Sequence, residues 1–244
     1  MGLEPTRREI ALGAVASPLL GGWGQAPAPA LTAELIRYTS GSKSIRAAVY
    51  RPLGNARGAG AVFLHGSGSI GAIQLRYARS FAENGYLTLI PTYTDAAADD
   101  IVRGRSVMNA WRDSACDAIE WLVSQGIDAG RTALTGYSLG SFIAVDGALG
   151  DSRAGAAVAV AGGWDVYPPR PPLRKIPVLL IRAERDRRVR PQGTRQWAEF
   201  LIDRDVPVRS QVIRGAGHLM TRTQWDLTSA RTLRFFDSTI GRAA

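Results

Sequence analysis

"RTALTGYSLGSFIAV" runs from Arg131 to Val145 and sets Gly136-Tyr137-Ser138-Leu139-Gly140 between two apolar runs. A chain with 27 glycines meets Gly-x-Ser-x-Gly readily by chance, so the motif gains meaning only from its surroundings. Here 131–136 reads as a buried strand and 138–149 as a helix. A strand that turns sharply into a helix forces the residue at the corner into a strained backbone conformation and lifts its side chain out of the sheet. Glycines on both sides are what such a corner needs, because strand and helix backbones approach closely there. The fold therefore depends on whether the rest of the chain supplies a parallel sheet around this corner.

It does so from residue 60 onward. "GAVFLHG" (60–66) is a short continuous apolar run closed by glycine, the pattern of a strand covered on both faces. Residues 72–84 follow with Ile73, Leu75, Tyr77 and Phe81 at helical spacing, then "YLTLIPTY" (86–93) as a strand. The longest helix is expected over 106–125, with Val107, Trp111, Ala115, Ala118, Ile119 and Leu122 on one apolar face. After the corner come a strand in "AAVAVAGG" (156–163), a strand entering a loop in "IPVLLIRAERD" (176–186), a helix over 192–204, a strand in "VRSQVIRG" (208–215) and a closing helix over 222–240. Before residue 60, "AELIRYTS" and "SIRAAVYRP" alternate as two strands joined by a turn at Gly41-Ser42. Alternating strands and helices imply an α/β fold: a mostly parallel central sheet flanked by helices, with the site at the carboxyl ends of its strands.

The bulk numbers agree. At 244 residues and 45% hydrophobic content, one α/β domain can bury a large core without staples. The single cysteine, Cys116, excludes an internal disulfide and packs as a small hydrophobe; no His/Cys cluster suggests a metal. The net charge of +9 is carried almost wholly by arginines scattered along the chain. With no basic helix or aromatic ladder among them, no nucleic-acid partner is expected. One local cluster, Arg182, Arg185, Arg187, Arg188 and Arg190, reads first as a solvated basic surface, and secondly as a rim that would favour an anionic substrate.

The N-terminus reads as an address. Arg7 and Arg8 precede an apolar stretch from Ile10 to Leu20, too short for the roughly 20 residues that span a bilayer. Small residues follow, with cleavage after Ala28 or Ala30 fitting the pattern. The expectation is an export signal of twin-arginine type over 1–30 and one catalytic domain over 31–244. That implies an exported, periplasmic or secreted protein with no membrane insertion after signal removal; a floppy arm on a cytoplasmic protein is the alternative.

Two motifs compete for the chemistry. "GSGSIG" (66–71) matches Gly-x-Gly-x-x-Gly after a strand and before a helix, where a dinucleotide would bind. That fingerprint also wants an acid at the end of the next strand, where Pro91 and Thr92 stand instead, with Asp95 several residues late. The Ser138 corner accounts for more residues. A serine hydroxyl needs a base, and the chain has two histidines. His218 sits just beyond the last strand and His65 at the end of an early one. An acid must hold the base in one tautomer, and Asp186 follows a strand, with Glu184 in reserve. The order Ser138, Asp186, His218 is that of the α/β-hydrolases.

"HGSG", "GYSLGS", "AERDRRV", "GAGH" and the helix "AWRDSACDAIEWL" resemble the signature segments of the dienelactone hydrolase family over roughly residues 45–240. The resemblance implies an α/β-hydrolase fold with no large lid domain and no cofactor. It implies Ser138 as nucleophile, Asp186 as orienting acid and His218 as base. The best-known members of that family carry a cysteine nucleophile where this chain has Ser138, a departure that moves the expectation from dienelactone toward general esters. The backbone N–H groups of Leu139 and Ser67, with Gly66 or Gly68 as alternatives, are expected to form the oxyanion hole, and His65 to shape that loop. The stretch "WDVYPPRPPLRK" (164–175) is too short for a helical lid, which suits small or medium soluble esters. Tyr93, Trp164 and Tyr167 follow strands at the same rim and are pocket candidates. A small peptidase related to prolyl oligopeptidases is the alternative activity.

Overall fold

The structure, a computed structural model, describes residues 31–68, 70–98, 104–164 and 169–241. The stretch expected to be an export signal and the candidate Tyr167 lie outside the described residues.

Strands β1 (Ala33–Ser40) and β2 (Lys43–Tyr50) form an antiparallel hairpin at the sheet edge, turning at Gly41, whose φ is 54°. β3 (Gly60–Leu64) leads through helix α1 (Ala72–Glu83) to β4 (Leu87–Pro91), and a short 3-10 turn, Tyr93–Ala96, ends that stretch. Helix α2 (Arg105–Ser124) returns the chain to β5 (Thr132–Tyr137), followed by α3 (Leu139–Leu149) and β6 (Ala156–Val160). β7 (Val178–Ala183), α4 (Pro191–Ile202), β8 (Val208–Ile213) and α5 (Arg222–Thr239) complete the fold. The expected elements are all present, with ends differing by a few residues.

The sheet order is β1-β2-β4-β3-β5-β6-β7-β8, with β3 to β8 parallel and β2 antiparallel to β4. Central strands β3, β4, β5 and β6 are buried at every position, which is why each reads as an unbroken apolar or small-residue run. One face carries α2, α3 and α4, the other α1 and α5; each packs its own apolar layer. Trp111 and Trp197 are wholly buried in the first layer, Phe81 and Phe236 in the second. Such residues each stabilise the fold by about 1.5–3 kcal/mol relative to exposure. Cys116 is half-buried between α2 and α3, and burial pushes its thiol up to about 12, consistent with a packing role. Ile73 departs from the expected α1 face: it is exposed, because α1 turns Tyr77 and Phe81 inward instead.

The chain visits β4 on one side of β3 and then crosses to β5 on the other. The helices that follow β3 and β5 therefore leave on opposite faces and open a crevice above their carboxyl ends. Ser67 and Ser138 follow those two strands.

Candidate active site

Ser138 has φ 55° and ψ −122°, a conformation an L-residue adopts at a cost of about 1–3 kcal/mol. Packing holds it there. Its N–H donates to the carbonyl of Val160 on the neighbouring strand at 2.9 Å. A Cβ on Gly136 would collide with the backbone of Gly140 and Ser141, and one on Gly140 with the carbonyls of Leu64 and His65. The two glycines let β5, α3 and the end of β3 touch through bare backbone. The corner leaves Ser138 half-buried, with its hydroxyl facing the crevice residues described next.

His218 sits in the loop between β8 and α5, and Asp186 three residues beyond β7. His218 Nδ1 lies 2.7 Å from Asp186 Oδ2, and Nε2 lies 3.0 Å from Ser138 Oγ. A carboxylate only accepts, so Nδ1 carries the proton and Nε2 presents its lone pair to the Ser138 hydroxyl, which donates. Asp186 and His218 are both buried. The second carboxylate oxygen, Oδ1, accepts the N–H groups of Arg188 and Val189 at 2.9 Å each. Burial acts to raise the Asp186 carboxyl; the hydrogen bonds from His218 and those two amides outweigh it and hold the group below the ordinary carboxylate value. Glu184, the reserve acid, is exposed and accepts the Gly215 N–H at 2.7 Å, so it braces the histidine loop and does not meet the imidazole.

The loop after β3 closes the other side of the crevice. A Cβ on Gly66 would stand 3.3 Å from the Cβ of Ser138. His65 Nδ1 donates to the Gly66 carbonyl at 2.7 Å, which locks the turn and leaves Nε2 as an acceptor in the neutral ring. Among the described residues, no protein acceptor takes the N–H of Leu139 or of Ser67. Leu139 opens α3, where backbone N–H groups have no helical partner and the helix dipole adds partial positive charge.

The pocket candidates fare differently. Tyr93 is corrected: it is wholly buried, its hydroxyl donates to the His65 carbonyl at 3.0 Å, and its ring packs on His65 and Trp111. It props the loop from below, with no surface open to the crevice. Trp164 is half-buried, its ring 5.1 Å from that of Phe200. A cleft of about 510 Å³ opens between α2, α3 and the loop before β7, lined by Arg105, Met108, Phe142, Ile143, Asp146 and Arg170. Phe142 stands one helical turn beyond Ser138. Arg185, Arg187, Arg188 and Arg190 are exposed around Asp186, while Arg182 is half-buried.

Sequence reasoning missed Tyr137. Its hydroxyl donates to the His218 carbonyl at 2.6 Å and its ring lies 5.2 Å from the imidazole. The signal was an aromatic hydroxyl directly before the serine, at the end of a strand.

The dinucleotide reading of "GSGSIG" loses its footing on the same geometry. Asp95, the late acid, is held by Arg46 through bonds of 2.9 and 3.0 Å, and Gly66 packs against the Ser138 corner. Among the described residues, no group of three or more His, Cys, Asp or Glu is placed to hold a metal ion.

Comparison with known proteins agrees with the fold. A dienelactone hydrolase-like promiscuous phosphotriesterase from metagenomic libraries superposes with a TM-score of 0.70 at 17% identity, over 86% of this chain and 99% of that one. An alpha-beta serine hydrolase homologue from Coxiella burnetii gives 0.67 at 18% identity, over 85% and 99%. A puromycin-hydrolyzing peptidase from Mycobacterium tuberculosis gives 0.68 at 19% identity over 86% of this chain, which spans only 40% of the peptidase. No curated protein sequence matches. The dienelactone hydrolase family model matches residues 45–232. With its eight-stranded, mostly parallel sheet, its flanking helices and a match over most of its length, the chain belongs to the dienelactone hydrolase family of α/β-hydrolases.

Proposed function

We propose that the protein is a serine hydrolase that cleaves carboxylic esters of small or medium soluble substrates through an acyl-enzyme. The observation that carries this reading is the hydrogen-bonded line Asp186–His218–Ser138, at 2.7 and 3.0 Å, with the serine at a strained corner. Ser138 Oγ attacks the ester carbonyl as its proton passes to His218 Nε2. The carbonyl oxygen becomes an anion within reach of the Leu139 and Ser67 N–H groups, which need no reorganisation to receive it. Collapse expels the alcohol, which takes the proton from His218, and leaves the acyl group on Ser138. Water, deprotonated by His218, then releases the acid and restores the serine. Asp186 holds Nε2 in its accepting tautomer and stabilises the imidazolium formed in each half-reaction.

Asp186→Asn tests that last role. The amide can donate to Nδ1, so the ring adopts the wrong tautomer, and kcat is expected to fall by about 10⁴-fold with little change in KM. The carboxyl also has a sign in stability. Held below its ordinary value of about 3.9, it stabilises the fold above that value and loses the contribution as pH falls through the depressed one. Unfolding midpoints of Asp186→Asn are expected to depend less on pH in that acid range than those of the parent.

Substrate class is tested with acetate, butyrate, octanoate and laurate esters of one chromogenic alcohol, beside the matching anilides. The short segment between β6 and β7 supports preference for the shorter acyl chains, and ester cleavage well ahead of anilide cleavage. Equal turnover of the anilides would replace the esterase reading by the peptidase one. An ester bearing a free carboxylate, assayed at low and high salt, reports whether the exposed arginines near Asp186 steer substrate: a rate that does not fall with salt removes that idea. For residues 1–30 the proposal is an export leader that delivers the folded enzyme outside the cytoplasm.

A further inference from the structure

Nucleophile and base belong to strands that are not neighbours. Ser138 follows β5 and His218 follows β8, with β6 and β7 between them. At about 4.8 Å per strand, their roots lie roughly 14 Å apart across the sheet. The histidine loop must cross that gap. Gly215, with φ 68°, and Gly217 make it permissive, so its position depends on what clasps it. Two clasps come from the loop after β7: Glu184 accepts the Gly215 N–H, and the Arg185 N–H donates to Ala216 O, each at 2.7 Å. Both act before the loop reaches His218.

The remaining clasp on the loop's backbone comes from β5 itself; Asp186 holds the imidazole ring, at 2.7 Å. The Tyr137 hydroxyl donates to the backbone carbonyl of His218 at 2.6 Å, and its ring lies under the imidazole at 5.2 Å and 32°. Trp225 backs the ring edge-on at 5.2 Å. Tyr137 is 5% exposed, and burial pushes its phenol up to about 12, so the group remains a donor across the working pH range. The residue it grips is the base, and its own next neighbour is the nucleophile.

We infer that Tyr137 is the positioning residue that sets the Ser138–His218 distance, by tying the backbone of the base to the strand that carries the nucleophile. The inference rests on the serine-hydrolase reading. It makes the length of one side chain a determinant of proton transfer: a misplacement of about 1 Å in such an arrangement lowers the rate by about 10²-fold while leaving substrate contacts alone.

The test is Tyr137→Phe, which deletes one oxygen and keeps the ring. Tyr77→Phe serves as the comparison. Tyr77 is equally buried, touches the same Trp225 and bonds Thr232 at 2.9 Å, but it has no hydrogen bond to the histidine loop. In Tyr137→Phe, kcat and the rate of inactivation by a fluorophosphonate are expected to fall by about 10–100-fold with KM within twofold. Tyr77→Phe is expected to lose comparable thermal stability and keep its kcat. A Tyr137→Phe enzyme with kcat within threefold of the parent overturns the inference, and so does an equal loss of kcat in Tyr77→Phe. Labelling of the parent and of Ser138→Ala separates this outcome from the underlying one. If the parent is labelled at Ser138, the serine reading stands whatever Tyr137→Phe does; if it is not labelled, both fall together.

Discussion

Replacing Ser138 with alanine is expected to lower kcat for a short-chain ester by about 10⁶-fold and to abolish fluorophosphonate labelling. The size follows from what the hydroxyl does. Without Oγ no acyl-enzyme forms at this position, and hydrolysis needs direct attack by water. Under the proposed mechanism the residual rate would come from oxyanion stabilisation and substrate binding, which the substitution leaves intact. Binding of a non-hydrolysable ester analogue should therefore survive. The substitution removes only the hydroxyl and keeps Cβ, so the strain of the 55° φ, which lies in the backbone, remains. Stability should change little, so unfolding cannot account for the lost rate. Labelling that persists in Ser138→Ala would place the nucleophile elsewhere.

His218→Ala is expected to produce a loss of the same order, because a neutral serine hydroxyl attacks poorly without a base. The two losses should not add. The double variant is expected to match either single one, since each already removes the same step. Inactivation of His218→Ala by a fluorophosphonate should slow to a similar degree, because no imidazole lone pair then accepts the Ser138 proton. Asp186 in this variant keeps its bonds to the Arg188 and Val189 amides but faces an empty space where the imidazole stood. A small loss of stability is expected, measurable as a lower thermal midpoint. Parent-like turnover in His218→Ala would mean another group is the base, and His65 would be the first to test.

Much of this is legible in the sequence. Continuous apolar runs marked the buried strands, and helical spacing marked α1 and α2, because burial on both faces or on one stripe is a local pattern in the chain. α3 was harder. Its residues from Gly140 to Val145 are all buried, so it shows no stripe; only the corner before it announced a helix. Tyr93 misled for a related reason. Its place after a strand suggested the rim, yet the 3-10 turn folds it under the His65 loop, where its hydroxyl meets a carbonyl 28 positions away in the chain. Proximity to a strand end says where a residue begins, not which way its side chain points.

Taken alone, the sequence determined the α/β order, the Ser138 corner and the short list of partners, with two histidines and one acid-bearing loop to choose from. Those features are written in neighbouring residues: glycines where backbones must touch, periodicity where faces are buried. Only the tertiary structure decided between Asp186 and Glu184, turned Tyr93 inward, packed Gly66 against the Ser138 corner and gave Tyr137 its grip on His218. The bonds linking Ser138, Asp186, His218 and Tyr137 join positions 32 to 81 residues apart. Their existence depends on strand order and loop path, which are settled by packing of the whole sheet and leave no local trace in the chain.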